Sequence, residues 1–181
     1  MLNDLFQEAW TALKFAASGK EHPFNYCSLA TAGKNGTTRQ RTVILRGVTE
    51  EKSLLFYTDF RSTKIKQLKQ NPKANGLFYD PKNQLQLIIK GNILIHTDDD
   101  AWEEHKDKID GKAINYYNTL LPPGKPIKNP FSVERGKKLH FGLLEFKPVR
   151  MEFLKIKQDS NHLRARFRLD EGIWKQTFLV P

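Results

Sequence analysis

Four short pieces of this chain carry residue types that could bind one anionic, planar ligand. Arg41-Thr42-Val43-Ile44-Leu45-Arg46 puts a cation at each end of an apolar run. Tyr57-Thr58 ends the next apolar stretch, and Ser62-Thr63-Lys64 follows at once. Hydroxyls, free amides and an ammonium at a helix start make an anion site. Gln86 sits in a later apolar run, where a carboxamide offers donors and an acceptor to a heterocycle edge. Taken singly, each has a plain alternative: solvated strand arginines, an ordinary helix cap, an exposed strand glutamine. Arg41 and Arg46, five apart, nominally point to opposite faces of a strand. They can meet one ligand only along the strand end or if a bulge re-aims one of them.

The elements that must position these residues are mostly strands. Residues 2–18 show an i, i+3, i+4 apolar pattern ending at Gly19, which predicts an amphipathic helix. Strands are then predicted over 26–31, 37–47, 53–58, 75–79, 84–96, 139–146, 150–157, 162–169 and 173–179. A helix over 62–71 is ended by Pro72, and helical pieces are expected over 100–109 and 112–118. In 84–96 one face, Leu85, Leu87, Ile89, Gly91, Ile93 and Ile95, is wholly core-like. A Pro-rich loop spans 120–130. The fold class expected is mainly β (α+β): antiparallel strands forming a split β-barrel with peripheral helices. One domain is expected over 1–181, with the 1–20 helix packing on the barrel.

Composition narrows the function classes. The net charge of +10 comes from lysines and arginines spread along the chain with no Arg-rich tail. That favours a solvated basic surface with some phosphate-binding members over nucleic-acid binding. No apolar run approaches a bilayer span. The single cysteine, Cys27, excludes an internal disulfide and thiolate zinc sites, and reads as a small core residue. A cytoplasmic protein without membrane partners is the expectation. The five histidines show no metal-ligand spacing, and no Gly-x-Ser-x-Gly or Gly-rich phosphate loop is present. His162, Arg164 and Arg166 fall on one face of a predicted strand. Three potential cations there require an anion or solvent between them.

Phosphate-binding and heterocycle-binding groups in this order suggest a flavin nucleotide. The segments Arg41–Gly47, Leu55–Thr58, Ser62–Lys64, Asn71-Pro72, Gln86–Gly91, Arg166-Phe167 and Trp174 to Pro181 together resemble the pyridoxine (pyridoxamine) 5′-phosphate oxidase-like FMN-binding split barrels. The resemblance covers roughly residues 25–181. It implies a homodimer with FMN at the subunit interface. Arg41 and Lys64, helped by Ser62 or Thr63, would hold the phosphate. Segment 41–46 would line the flavin, Tyr57, Thr58 and Gln86 would complete the pocket, and Arg166 would come from the partner. It also implies an oxidoreductase passing hydride from substrate to flavin N5, with oxygen as reoxidant.

The substrate side departs from the family pattern. The oxidase has Ser-Arg-Lys where Ser62-Thr63-Lys64 stands, and Lys in place of Arg46. Its Tyr, Arg and Ser at four-residue intervals have no counterpart in 98–121. Its Arg-x-His is reversed here as His162-x-Arg164, and its flavin-contacting Trp is Leu154. Arg46, His162 and Arg164 are the candidate contacts to a phosphorylated small-molecule substrate, with no catalytic residue assigned. Two alternatives stand beside this reading: a flavin-binding or flavin-reductase-like protein with a non-B6 substrate, and a basic nucleic-acid-binding barrel.

Overall fold

The computed structural model describes residues 1–158 and 161–181. Its eight strands are β1 (Tyr26–Ala32), β2 (Thr38–Val48), β3 (Leu54–Asp59), β4 (Lys73–Asp80), β5 (Leu85–His96), β6 (Phe141–Lys155), β7 (Leu163–Asp170) and β8 (Ile173–Phe178). They form one antiparallel sheet in the order β3-β2-β1-β4-β5-β6-β7-β8. A β3–β6 pairing closes the first six into a barrel, and β7 and β8 extend from it. This is the split barrel expected from the sequence.

Alternation places the core. Leu85, Leu87, Ile89 and Ile93 of β5 are buried, and Gly91 lies with them, as the period of two requires. Phe24, Phe56, Phe78, Phe146, Phe153 and Phe167 fill the interior with almost no exposure. Each such ring contributes about 1.5–3 kcal/mol through removal from water. Cys27 is buried among them, its thiol pushed up to about 12 by burial, as befits a packing residue.

Helix α1 (Leu2–Ala17) buries Leu5, Phe6, Ala9, Trp10, Leu13 and Ala16 against the barrel. Phe6 meets Phe167 at 5.1 Å and Trp174 at 5.5 Å between ring centroids. That contact fastens the β7–β8 extension as well. Helix α2 (Thr63–Gln70) packs Ile65 and Leu68 inward. Helix α3 (Asp100–Lys106) and a 3-10 turn over Gly111–Tyr116 cover a separate apolar cluster of Leu55, Ile109, Tyr117, Phe141 and Leu143.

The strands expected over 139–146 and 150–157 are in fact one strand, β6. Pro148, which cannot donate a ladder hydrogen bond, sits at a bulge rather than at a strand end. Its register partner is Gly91, and the β5–β6 register shifts between Lys90 and Gly91. A side chain at 91 would bring a Cβ within 2.0 Å of the Lys147 carbonyl oxygen. Glycine is therefore required there by close backbone approach. The bend lets the first half of β6 pair with β3 and the second half with β7.

A second bulge lies in β2. Leu45 pairs with Phe56 and Gly47 with Leu55, which leaves Arg46 as the unpaired extra residue.

Candidate functional site

The sequence-derived residues separate into three groups. The first lies where α2 meets the barrel wall. Arg41 turns inward on β2 with Val43 and Leu45, and is only partly exposed. Its guanidinium donates to the Leu29 carbonyl at 3.1 Å, to Thr31 Oγ1 at 2.7 Å and to Gln67 Oε1 at 3.4 Å. Thr31 in turn donates to Gln67 Oε1 at 2.7 Å. Gln67, buried on α2, and Thr31 thus fix the orientation of Arg41. The pattern did not single them out, although a glutamine one turn after Lys64 on the buried face of α2 is a legible signal.

Lys64 completes this group. Its Nζ donates to Thr58 Oγ1 at 2.8 Å and to Ser62 Oγ at 3.2 Å. Ser62 is the N-cap of α2, but its side chain makes no capping bond and faces Lys64 instead. Burial, then the charge of Arg41, push the Lys64 ammonium down to about 8, with Asp59 opposing weakly. Arg41 is lowered too, by burial and then by Arg39. Asp59 does not neutralise the pair at short range, because Arg61 holds its carboxylate at 2.7 Å. Two partly buried cations, two hydroxyls and a helix N-terminus therefore converge, and among the described residues no carboxylate is one of their hydrogen-bond partners. Such an arrangement is completed by a multiply charged anion. Thr63 is exposed at the same helix start.

The second group is on the outside of β3. Thr58 and Tyr57 are adjacent, so they face opposite sides of the strand. Tyr57 points to α3, where its hydroxyl lies 2.7 Å from His105 Nδ1. Arg46 lies over the Tyr57 ring at 5.6 Å. Alternation along β2 already turns Arg46 to the face opposite Arg41, the bulge at Arg46 does not bring it back, and so the two arginines serve different places. His105 was missed from sequence, since a lone histidine in a short helix carries no spacing signal. Burial, then Lys108, lower it, and burial raises Tyr57.

The third group lines the outer wall of the sheet. Thr42 and Ile44 are exposed on β2. Gln86 stands opposite Tyr79 and Leu154 on β5. Arg164 and Arg166 point outward from β7, alternating with buried Ala165 and Phe167. The anion expected between these cations is Glu152, which lies opposite Arg166 and accepts from Arg150 and, at 3.2 Å, from Arg164. Burial alone would raise its carboxyl, but those hydrogen bonds hold it below the usual range. His162 is not on the strand. It precedes β7, and its Nδ1 accepts from the Lys157 amide at 3.2 Å.

Comparison with known proteins places this geometry. Residues 7–97 match the family model described as pyridoxamine 5′-phosphate oxidase, FMN-binding domain. A pyridoxine/pyridoxamine 5′-phosphate oxidase of Aliarcobacter butzleri is 32% identical over 97% of this chain and 89% of its own. The chain belongs to the pyridoxamine 5′-phosphate oxidase family. Another such oxidase, from Agrobacterium fabrum, is 24% identical over 93% of this chain and 88% of its own.

The fold agrees. A pyridoxamine 5′-phosphate oxidase-related, FMN-binding protein of Nostoc punctiforme superposes with a TM-score of 0.78 at 23% identity, covering 97% of both chains. PhzG of Burkholderia lata, in complex with tetrahydrophenazine-1-carboxylic acid, gives 0.75 at 22% identity over 97% of this chain and 91% of its own. Among the described residues no cluster of His, Cys, Asp or Glu could hold a metal ion, and no helix is long and apolar enough to cross a membrane. Within this family member, the anion group is the most fully built of the three.

Proposed function

We propose that this protein is an FMN-dependent oxidoreductase that works as a homodimer. The observation carrying the reading is the Arg41–Lys64 pair, both partly buried and, among the described residues, with only neutral hydrogen-bond partners. A phosphate dianion satisfies both cations, and Thr58 and Ser62 have hydroxyls to donate to it. Thr63 stands at the helix start, where free amides add to the same potential. FMN, when bound, supplies the redox chemistry, accepting hydride from an organic substrate and passing electrons to oxygen. The protein binds, orients and screens.

The homodimer follows from what one chain leaves apart. Gln86 and Arg166 sit on the outer wall, whereas Arg41 and Lys64 sit at the barrel end under α2. A second copy against the outer wall supplies the missing side. Tyr26, Ile44 and Tyr79 are 61%, 40% and 50% exposed on that wall, and a partner would cover them. Thr42 and Ile44, Tyr57, Gln86 and the partner's equivalent of Arg166 would then surround the ring system, whereas Val43 and Leu45, expected in the same lining, are buried in the barrel core and can only back it.

Pyridoxamine or pyridoxine phosphate is the first substrate to test, with Arg46 and Arg164 as the available anion contacts. The exposed cation of Arg46, turned outward by strand alternation and backed by Tyr57 and His105, suits a substrate phosphate. A non-B6 substrate is the second reading, and a specific observation favours it. The segment after β5 lacks Tyr, Arg and Ser at four-residue intervals, and His162 is engaged by the Lys157 amide. The visible spectrum of the purified protein tests the cofactor: a colourless protein that also fails to take up added FMN sinks the proposal. Peroxide release with pyridoxamine 5′-phosphate tests the substrate, and flavin-loaded protein with no turnover selects the second reading.

A further inference from the structure

Four cations stand in register across four adjacent strands on the outer face. Lys90 of β5 pairs with Arg150 of β6, Arg150 with Arg168 of β7, and Arg168 with Lys175 of β8. Directly opposed like charges destabilise a sheet, so such a row calls for a compensating anion. At about 4.8 Å between strands, the row runs roughly 14 Å. Arg166 and Thr177, themselves register partners, lie one position along on the same face.

The acids at hand do not balance the row. Glu152 serves Arg150 and Arg164, and Asp170 lies 3.5 Å from Arg168 and pairs with Lys175. Against these two carboxylates stand Lys90, Arg150, Arg164, Arg168 and Lys175, with Arg166 left to the flavin pocket. Lys90 has no ion-pair partner among the described residues. Between β6 and β8 the row borders a cavity of about 340 Å³, lined by Arg150, Arg166, Arg168, Lys175, Gln176 and Thr177. Among the described residues no carboxylate lines it. The Arg150 Nε is buried and has no hydrogen-bond partner among the described residues.

From this arrangement we infer a second anion site, separate from Arg41 and Lys64, that takes the pyrophosphate or oligophosphate group of a small molecule. The cavity is at the small end of ligand pockets, which run from roughly 300 to 1,000 Å³. It admits a compact charged group rather than a whole nucleotide. Two guanidinium forks and an ammonium in a line match phosphates joined in a chain better than a single carboxylate. A single-stranded nucleic acid would need exposed aromatic rings beside the phosphate track, and no aromatic side chain lines this cavity.

The test measures binding of inorganic pyrophosphate and tripolyphosphate by isothermal titration. It uses the full chain and a Lys64→Ala background, which separates this site from the first. Both anions should bind in both backgrounds. The double variant Arg168→Ala/Lys175→Ala should weaken binding at least tenfold while leaving FMN uptake unchanged. Both of those positions are solvent-exposed, so the fold is retained. Binding that disappears with Lys64→Ala, or that is unaffected by the double variant, overturns the proposal. Failure of either anion to bind at millimolar concentration does the same. Binding of a single-stranded oligonucleotide without pyrophosphate binding, lost in the double variant, would replace it with a nucleic-acid surface. A protein that never takes FMN but binds pyrophosphate through Arg168 and Lys175 would sink the flavin reading and leave this site standing.

Discussion

Lys64 is the residue on which the anion site turns. Its ammonium releases its proton at about 8 in the fold, against 10.5 ordinarily. The folded value is the lower one, so between those pH values the unfolded chain holds more protons. Lys64 therefore favours the fold without ligand above about 10.5, and that contribution is lost as pH falls through 8. A bound phosphate reverses the preference by favouring the charged form. FMN affinity should then fall as pH rises above about 8, and binding should take up a proton in that range. Titration in two buffers of different ionisation enthalpy reads the proton directly, with riboflavin as the phosphate-free reference. Equal pH dependence for both ligands would mean that Lys64 does not meet the phosphate. Arg41→Ala with Lys64→Ala should abolish FMN retention, read from the spectrum after gel filtration. Retained flavin in that variant would place the phosphate elsewhere. Lys64 was legible in the sequence because a helix start after a strand end is a local feature, whereas Arg41 in the middle of β2 stood out only through the family pattern. Thr31 and Glu152 were not, because their roles depend on strand and helix neighbours remote in the chain.

At the scale of elements, two bulges and one latch shape what the site residues can do. Gly91 allows the Lys147 carbonyl to approach β5 at the bend of β6. Gly91→Ala should cost about 3 kcal/mol or more, since the clash is with backbone that cannot rotate away. Urea denaturation measures it, and a change under ~0.5 kcal/mol would show that the bend adjusts freely. The latch is Arg61. It is held by Asp59 and donates to the Thr119 carbonyl at 2.9 Å and the Leu120 carbonyl at 3.1 Å. It thereby ties the Pro-rich loop to the segment that carries Ser62 and Lys64. Arg61→Ala should speed amide exchange in residues 119–136 and weaken FMN retention, because Asp59 is freed beside Lys64. Unchanged exchange there would show that the loop is held by other contacts. The strands were legible from alternation and the helices from their stops. The β6 bend was not, because a proline inside an apolar run reads as a break. Only the facing glycine, over fifty residues earlier, makes it a continuation.

At the scale of the molecule, the division of site residues between barrel end and outer wall is the central fact. The sequence order of Arg41, Thr58, Lys64, Gln86 and Arg166 mirrors a shared ligand, yet one chain points them in different directions. A ligand that touches residues of two copies binds the dimer and not the monomer, so it must stabilise the dimer by mass action. At a ligand concentration one hundred times its dissociation constant, the gain is about 2.7 kcal/mol per site. Sedimentation of protein stripped of flavin should show a monomer–dimer balance that moves to dimer when FMN is added. Ile44→Glu puts a charge on the exposed apolar part of the outer wall, 40% accessible in the single chain. Because the side chain is on the surface, the monomer should keep its fold, confirmed by an unchanged circular dichroism spectrum. That variant should lose both the dimer and the flavin, whereas Lys64→Ala should lose flavin alone at high protein concentration. FMN retained by a monomeric Ile44→Glu protein would show that one chain suffices, and Gln86 and Arg166 would then need another role.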